Sequence, residues 1–499
     1  MCREKSRLGM NVSRLAQHGY DIVTGLRLTC RAMDGRPNAM NWANLILNID
    51  SYKLSHFLQY PPETAAISSY VETRGGSDLI DVVFFGLQIF LKDVLSRPVT
   101  MSDVAEAEEV AKAHGLPFDR AGWTHIVNAH GGYLPLRIEA LPEGTLTRRG
   151  VPLVQVVNTD PACWWLTSHI ETALLRAVWY PSSVASNVRK VKLALRDALE
   201  RTADEPELLL PSRLLDYGAR GVGAFEQAGI GGAAHLVHFT GTDTLSGVLT
   251  ARRCYGAAMA GRSMPASEHS TMTAWGGDRE ADAYANMVSR FAPSGAFAVV
   301  SDSYDINQAV SFIWGKQLRD TVKAAGATVY IRPDSGDPIE TPVQVVQQLD
   351  YRFGATQNRK GFKVLDRCVR VIQGDGITLA DMNQILNRLE AFGYSAENMT
   401  FAMGGGLLQK VNRDTYAFAM KANARQDTSG RWHDVWKRPA TMNVKASKAG
   451  RQAVVSGMAG LEAVRLDALA GRENHLRPVW QDGRLLKDWS FEEVRAQAR

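Results

Sequence analysis

The chain has few cysteines, and their spacing excludes two common kinds of stabilising site. Its 499 residues include 5 cysteines, which lie far apart and form no Cys-x-x-Cys pair. We therefore expect neither a disulfide framework nor a zinc site. The same composition favours a reducing compartment, the cytoplasm.

Long apolar runs and a strong charge of one sign are also absent. No run approaches the roughly 20 apolar residues that span a bilayer, so no membrane partner is expected. The formal net charge of +5 is small for this length and does not indicate a nucleic-acid partner. A mild basic excess suits an enzyme that binds anionic small molecules in a local pocket.

Two nucleotide-binding fingerprints are missing as well. No GxxxxGK run followed by Ser or Thr occurs, which excludes a P-loop. The glycine-containing run at 218–223 does not have the GxGxxG spacing, so no dinucleotide-binding fingerprint is present.

Residues 1–39 differ from the rest of the chain. They are basic and poor in acids, but they lack the continuous apolar core of a secretory signal. We predict a disordered extension or an artefact of an upstream start, with a transit peptide as the alternative. A fold-like pattern begins shortly after Met40.

Up to about residue 202 the chain mixes helices and strands. The patterns predict helices at 83–95 and 102–113, and strands at 134–140 and 151–157 separated by a turn. The stretch 161–202 predicts two long helices split near Pro181. After about 425 the chain becomes polar and basic, and it ends in a predicted helix near 490–498.

Strands and helices alternate in the second half. Apolar strand candidates at 297–300, 328–331, 369–372 and 401–403 each end in small or acidic residues, and a further strand is predicted at 235–239. This alternation predicts a parallel sheet covered by helices. A (β/α) barrel would collect these polar ends into an active site, and an open doubly wound sheet is the alternative.

The polar residues at these strand ends are candidates for chemistry. Asp302, Asp334 and Asp375 would converge on one edge of the sheet, where they can bind metal, bind sugar hydroxyls or cap helices. The glycines at 404–406 precede a helical stretch and offer free amides to a phosphate. His269 follows a glutamate and can be a general base, a phosphate acceptor or a structural histidine.

Several motifs in order along the chain resemble those of the nicotinamide phosphoribosyltransferase family. The matching segments are 50–53 (DSYK), 59–62 (QYPP), 241–244 (GTDT), 268–271 (EHST), 301–305 (SDSYD), 331–336 (IRPDSG), 373–376 (QGDG) and 404–410 (GGGLLQK). The resemblance runs from about Asn44 to the C-terminus. It implies an enzyme that makes nicotinamide mononucleotide and pyrophosphate from nicotinamide and phosphoribosyl pyrophosphate, for the salvage of NAD.

The resemblance also implies a fold and a domain arrangement. The expected fold is an irregular (β/α) barrel of the type II phosphoribosyltransferase kind, with an additional mixed α+β domain built from N- and C-terminal segments. We divide the chain accordingly into 40–160 and 425–499, which would form the mixed domain, and 161–424, which would form the catalytic barrel. A homodimer with active sites shared at the subunit interface is expected.

The resemblance assigns roles to individual residues. Tyr217 and Tyr52, one from each subunit, would stack on nicotinamide, Asp243 would accept a hydrogen bond from its amide, and Arg332 would lie along the ring. The catalytic set would be His269, Asp334 and Asp302. The phosphoribosyl and phosphate groups would be bound by Arg220, Ser263, Gly374, Asp375, Gly405, Gly406, Arg74, Arg413, Lys421 and Lys437. One departure is Ala298, where some relatives have a serine near the amide.

Two cofactors follow from the resemblance. Mg²⁺ would be held mainly by pyrophosphate, with no protein ligand assigned, and ATP would be a facultative co-substrate that phosphorylates His269. Alternative functions are a nicotinate phosphoribosyltransferase, which Asp243 disfavours, a non-catalytic dimeric binding protein, and a general sugar-phosphate barrel enzyme.

Overall fold

The computed structural model describes residues 44–74, 81–374, 376–438 and 446–499. Residues 1–39, for which we predicted a disordered extension, and the short segments between these ranges lie outside the described residues. Among the described helices, none combines the length and the apolar character that crossing a membrane requires.

The strands fall into two large sheets and three small pairs. In chain order they are β1 (Thr64–Thr73), β2 (Val82–Val83), β3 (Leu136–Ala140), β4 (Leu146–Thr147), β5 (Pro152–Asn158), β6 (Leu214–Asp216), β7 (Gly241–Thr242), β8 (Ala296–Val300), β9 (Thr328–Arg332), β10 (Ala355–Gln357), β11 (Lys363–Leu365), β12 (Val369–Gln373), β13 (Met399–Met403), β14 (Phe418–Asp427), β15 (Trp432–Asp434), β16 (Gln452–Gly457), β17 (Gly460–Arg465), β18 (Arg477–Gln481) and β19 (Arg484–Leu485).

The described residues contain sixteen α-helices. They are α1 (Leu87–Phe90), α2 (Met101–Ala113), α3 (Arg120–His130), α4 (Leu166–His169), α5 (Glu171–Thr202), α6 (Pro206–Leu209), α7 (Phe225–Leu236), α8 (Leu245–Tyr255), α9 (His269–Thr273), α10 (Glu280–Phe291), α11 (Ile306–Gln308), α12 (Arg319–Ala324), α13 (Glu340–Phe353), α14 (Leu379–Ala391), α15 (Gly405–Leu408) and α16 (Phe491–Gln497). Eight of the sixteen, α7 to α14, lie between strands of the second sheet. A 3₁₀ helix at Ser51–Leu58 carries Tyr52.

The first sheet is antiparallel and joins the two ends of the chain. Its strand order is β15-β14-β1-β5-β3-β18-β19, so three N-terminal strands lie in the centre and two C-terminal strands flank them on each side. The longest pairing runs between β1 and β14, from Thr64 opposite Asp427 to Thr73 opposite Phe418. This sheet confirms the predicted additional domain built from N- and C-terminal segments.

The second sheet is parallel and curls into an irregular barrel. Its order is β7-β6-β13-β12-β9-β8. The segment 262–267 bridges the two outer strands, because the Thr242 amide donates to the Arg262 carbonyl and the Ser267 amide donates to the Ala298 carbonyl, both at 3.0 Å. The barrel prediction is confirmed, and the open-sheet alternative is wrong.

The strand predicted at 235–239 is wrong. Helix α7 ends at Leu236, a turn follows at 237–238, and the strand that enters the barrel is the two-residue β7 just beyond. Residues 231–239 are buried throughout, and a short apolar run buried on all sides reads equally well as a strand or a helix. His235 is held in this position by a contact of 2.8 Å between its Nε2 and the Gly241 carbonyl.

Helix α5 is continuous, so the predicted break near Pro181 is also wrong. The segment 83–86 packs against the helix at this point, where the Ser186 and Ser182 hydroxyls accept hydrogen bonds from the Val83 and Phe85 amides at 2.9 and 3.1 Å. Packing thus offsets the lost helical hydrogen bond of the proline. The predicted helix at 83–95 begins only at Leu87 because residues 82–83 pair with β4.

Gly86 lets the chain pass Pro181, and its substitution should be costly. Its φ is +100°, and a Cβ built there would lie 2.3 Å from Pro181 Cγ. We expect Gly86→Ala to lower the free energy of unfolding by about 3 kcal/mol, since left-handed strain and overpacking add. Gly256→Ala is the matched control, because Gly256 also has positive φ but open space at its Cβ, so only about 1 kcal/mol is expected. Equal losses in denaturant titrations of the two variants would contradict the packing argument.

Candidate active site

The carboxyl ends of the six barrel strands bring the predicted residues to one edge, which we call the barrel rim. In strand order around the sheet the rim consists of Asp243 after β7, Tyr217 after β6, the glycines 404–406 after β13, Gly374 after β12, Asp334 after β9 and Asp302 after β8. Parallel strands present their carboxyl ends on the same side, which explains this collection. Asp375 was predicted here too, but it lies outside the described residues.

Asp302 organises one corner of the rim. Its Oδ1 lies 3.2 Å from His269 Nε2, and its Oδ2 accepts hydrogen bonds from the Asp334 amide at 3.0 Å and from the Ser335 hydroxyl. The Asp302 side chain is only 3% exposed, whereas that of His269 is 45% exposed. Asp302 therefore orients an imidazole that still reaches solvent and fixes the loop that carries Asp334.

Asp334 itself keeps an available carboxylate. Its Oδ2 lies 3.8 Å from His269 Nδ1, and its Oδ1 lies 3.6 Å from Arg332 Nε, both longer than hydrogen bonds. The side chain is 31% exposed. A half-exposed carboxylate between a histidine and an arginine can still accept hydrogen bonds from a ligand.

Tyr217 forms an aromatic wall over the floor of the barrel. It packs on the cluster of Leu215, Ala298, Ile372 and Ala402, together with Met264 and Tyr330. Desolvation, with the nearby charge of Asp243, raises the pKa of Tyr217 to about 12, although Arg332 opposes the shift. The phenol is therefore neutral at physiological pH. Ala298 is fully buried beneath this wall, where it offers a methyl group and no hydroxyl.

Asp243 lies beside Tyr217 and is held by Ser263. The Ser263 hydroxyl, which we predicted on the phosphate side, donates a hydrogen bond to Asp243 Oδ1. Desolvation raises the pKa of Asp243, while the hydrogen bond from Ser263 and the charge of Arg332 lower it. The second carboxylate oxygen can accept a hydrogen bond from a ligand next to the aromatic wall.

Asp216 is a functional residue that the sequence reasoning missed. It is fully buried, its Oδ1 accepts the Gly218 amide at 2.7 Å, and its carbonyl accepts the Asp243 amide at 2.9 Å. Burial raises the pKa of this carboxyl group, which His235 opposes. Asp216 thus fixes the turns on both sides of Tyr217 and Asp243. The three-residue strand before it is too short to give a periodic signal.

The glycines at 404–406 approach the turn that follows Tyr217. A Cβ on Gly221 would lie 2.9 Å from Gly405 Cα, and one on Gly218 would lie 2.5 Å from the Leu408 side chain, so glycine is required at both positions. Arg220 on this turn has an 88% exposed side chain and lies 4.0 Å from Glu268. The turn therefore leaves a guanidinium free to meet an anion beside the glycine loop.

A second group of predicted residues lies on the antiparallel sheet. Lys421 lies on β14 opposite Tyr70 of β1, and Arg74 follows β1, where its amide donates to the Ala417 carbonyl at 3.1 Å. Desolvation lowers the pKa of Lys421, and the positive charges of Arg74, Lys437 and Arg413 lower it further. We call these four basic residues the basic cluster. Glu171 lies close enough to oppose this shift, and it also pairs with Lys53 at 2.7 Å.

Tyr52 precedes Lys53 and belongs to the same neighbourhood. Its side chain is among the most exposed large aromatics, at 57%. In the described part of the chain, no hydrogen bond or ion pair joins Tyr52 or the basic cluster to the barrel rim. The predicted site residues therefore form two groups within one chain.

Two family models match the chain. The nicotinate phosphoribosyltransferase (NAPRTase) family matches residues 212–476, and the N-terminal domain of nicotinamide phosphoribosyltransferase matches residues 44–138. The first match includes the whole barrel rim, and the second includes Tyr52 and Arg74.

Individual relatives agree with these families. A nicotinamide phosphoribosyltransferase of Xanthomonas campestris pv. campestris is 50% identical over 91% of this chain and 98% of its own length. One of Acinetobacter baylyi is 32% identical over 90% of this chain and 95% of its own.

Among solved structures, the nicotinate-nucleotide pyrophosphorylase of Pyrococcus furiosus has a TM-score of 0.59 at 14% identity, covering 92% of this chain and 95% of that one. Human nicotinic acid phosphoribosyltransferase has a TM-score of 0.53 at 18% identity, covering 90% and 92%. At these identities the structures support the fold alone.

Proposed function

This chain belongs to the nicotinamide phosphoribosyltransferase family, and we propose that it joins nicotinamide to phosphoribosyl pyrophosphate, releasing nicotinamide mononucleotide and pyrophosphate in NAD salvage. The observation that carries the proposal is the pairing of an aromatic wall with a carboxylate, Tyr217 with Asp243, beside the half-exposed Asp334. A neutral pyridine carboxamide fits the first two residues, and a ribose fits the third.

The pyridine nitrogen attacks C1 of the ribose while pyrophosphate leaves, so one C–N bond forms as one C–O bond breaks. Stacking on Tyr217 orients the nicotinamide ring. Because the enzyme holds the ring nitrogen in line with C1 of the ribose, the reaction between two molecules becomes effectively unimolecular, and its entropic cost falls. The attacking nitrogen carries no proton, so this step needs no general base. Positive charge develops on the sugar, and the carboxylate of Asp334 stabilises it.

The leaving pyrophosphate carries most of the negative charge, and basic groups stabilise that charge. Arg220 and the amides of Gly405 and Gly406 are available at the rim, whereas the Gly374 amide already donates to Gln373 Oε1 at 3.1 Å. Arg74, Arg413, Lys421 and Lys437 supply further positive charge. Both oxygens of Asp302 are already engaged, so the described rim fits a Mg²⁺ held mainly by pyrophosphate better than a carboxylate cage. Such an ion would neutralise charge on the leaving group.

His269 has the features of a phosphate acceptor for ATP. Its imidazole is about half exposed and is oriented by Asp302 through Nε2. A neutral ring nitrogen can attack the terminal phosphorus of ATP, releasing ADP, and the phosphoryl group then passes to water. The added negative charge would organise Mg²⁺ and the substrate without entering the C–N bond formation.

The two groups of site residues support a homodimer with shared active sites. Each rim would be completed by Tyr52 and the basic cluster of the partner subunit. Cytoplasmic location is part of the proposal, and the described cysteines, which are free and buried, suit it.

Subunit complementation tests the shared site. Tyr52→Ala and Asp334→Asn should each be nearly inactive, but co-expression should restore about a quarter of wild-type activity, since half of the dimers are mixed and each has one intact site. Both side chains are solvent-accessible, so folding should be preserved. Activity no greater than the sum of the two parents would contradict sharing.

Asp243 should set the choice between amide and acid. Nicotinamide offers an N–H donor, whereas nicotinate brings a second carboxylate that Asp243 repels. We expect Asp243→Asn to lower kcat/KM for nicotinamide about tenfold and to shrink its preference over nicotinate. Asp278→Asn, an exposed substitution outside the rim, is the control. Unchanged constants for both bases would contradict this role.

A substrate panel tests the proposed function directly. Pyrophosphate release is measured with phosphoribosyl pyrophosphate, Mg²⁺ and either nicotinamide, nicotinate or quinolinate, each with and without ATP. We expect turnover of nicotinamide and stimulation by ATP that His269→Ala abolishes. Preferential turnover of nicotinate would favour the alternative of a nicotinate phosphoribosyltransferase.

A further inference from the structure

Two histidines, an aspartate and a cysteine meet at a point outside the candidate active site. His125 and His130 lie on α3, and Asp160 and Cys163 lie in the turn and the short 3₁₀ helix that follow β5. The Nε2 atoms of both histidines lie 2.7 Å from the same oxygen, Asp160 Oδ2. We call these four residues the His–Asp–Cys cluster.

The donor atoms are close enough for a metal ion. The ligand atoms of His125, Asp160 and Cys163 all lie within 4.8 Å of one another, and His130 reaches the same carboxylate oxygen. Zinc–ligand bonds of 2.0–2.3 Å place tetrahedral donors about 3.3–3.8 Å apart, so the longest separations must shorten by about 1 Å. The two histidine–carboxylate contacts of 2.7 Å must lengthen by about 0.6 Å. The histidine side chains are 40% and 27% exposed, so small rotations can supply both adjustments.

The surroundings orient these donors. Asp160 Oδ1 accepts the Ala162 amide at 2.8 Å, which leaves Oδ2 to face the histidines. The Asp160 carbonyl accepts the Cys163 amide at 3.0 Å, so the carboxylate and the thiol belong to one rigid turn. Outer hydrogen bonds that hold the ligands in this way are typical of metal sites.

The donor set favours zinc. Cys163 is fully buried, and its thiol supplies a sulfur donor within 4.8 Å of the His125 and Asp160 donors. Nitrogen and sulfur donors with one carboxylate suit zinc better than magnesium or calcium.

We propose that His125, His130, Asp160 and Cys163 form a structural site for a zinc-class divalent ion. Binding replaces the thiol proton of Cys163 by the metal, with one proton released. Each imidazole shifts the proton that Nε2 donates to Asp160 onto Nδ1, and Nε2 then binds the metal. Four protein ligands leave no open position, as in structural zinc sites. The ion would tie α3 to the end of β5. The cysteine spacing predicted no zinc site because the ligands come from two elements that only the fold brings together.

Cobalt spectroscopy on the full chain, without a histidine tag, tests the site. After removal of metal with a chelator, we expect one equivalent of Co²⁺ to give tetrahedral bands and a thiolate-to-cobalt charge-transfer band, and Zn²⁺ to displace it. His130→Gln should weaken binding at least about 100-fold, and Cys163→Ser should abolish the charge-transfer band. Zn²⁺ should raise the melting temperature of the wild type but not of His130→Gln.

Controls separate this site from other metal-binding groups. Cys368→Ser removes another buried thiol beside an aspartate, and His269→Ala removes the imidazole of the barrel rim; both should keep the cobalt spectrum. No thiolate band in the wild type, or equal cobalt affinity in His130→Gln, would overturn the proposal. The outcome is independent of the transferase activity.

Discussion

Asp334→Asn should lower kcat about 10²- to 10³-fold while leaving the fold intact, because it removes a charge matched to the transition state. The substitution keeps the size of the side chain and its ability to hydrogen-bond. It removes the negative charge from the one half-exposed carboxylate between His269 and Arg332. A developing oxocarbenium ion gains more from that charge than the neutral ground state does, so the loss should fall on kcat more than on KM.

Stability should hardly change in this variant. The ion pairs of Asp334 are 3.6 and 3.8 Å long and partly exposed, and such pairs contribute about 1 kcal/mol or less. Asp320→Asn, whose side chain is 96% exposed, is the matched control and should retain full activity. Steady-state kinetics and thermal melts of both variants make the comparison. An Asp334→Asn enzyme within a few-fold of wild-type kcat would contradict the proposed role.

Tyr217→Ala should raise KM for nicotinamide about 30- to 100-fold, since stacking and burial of one aromatic face contribute about 2–3 kcal/mol. Tyr217→Phe should remain close to wild type, because the ring and not the neutral hydroxyl provides the stacking surface. The variant pair therefore separates stacking from hydrogen bonding.

The control for this substitution is Tyr351→Ala, an 83% exposed tyrosine outside the rim. Tyr217→Ala also removes packing on the cluster of Leu215, Ala298, Ile372 and Ala402, so its melting temperature must be measured alongside. Kinetics at a temperature well below the melting transition isolate the effect on binding. A Tyr217→Phe variant as impaired as Tyr217→Ala would mean that the hydroxyl, not the ring, provides the interaction.

Much of the barrel could be predicted from the sequence. Strands β8, β9, β12 and β13 are apolar runs. Asp302 follows β8, Asp334 follows β9, and glycines follow β12 and β13. The position of these residues at the rim follows from the parallel pairing of the strands. Helix α2 begins at the capping box of Thr100 and Asp103, and its predicted bounds at 102–113 are nearly those observed. Hydrophobic periodicity and helix capping depend on residues close together in the sequence, so they can be predicted from the sequence.

The errors have a common physical origin. The local pattern predicts a strand at 235–239 and a helix break at Pro181. Contacts with distant segments instead make 235–239 the end of helix α7 and the turn after it, and keep α5 helical through Pro181. The second half of helix α7, from Gly231, is buried on all sides, and α5 is held across Pro181 by the segment 83–86. The sequence pattern does not predict a role for Asp216, because its strand is short. Its hydrogen-bond partners, the amides of Gly218 and Asp243, reach it only once the turns have formed.

The sequence alone determined the fold class, the family and the types of residue at the barrel rim, since these depend on short ordered motifs and on the alternation of strands and helices. Only the tertiary structure decided which side chains meet. It brings Asp302 into contact with His269 and Ser263 into contact with Asp243. It also brings two histidines of helix α3 into contact with Asp160, which lies some 30 residues later in the chain. The reason is that hydrogen bonding, desolvation and charge depend on distance in space, and chain separation carries no information about that distance until the fold has formed.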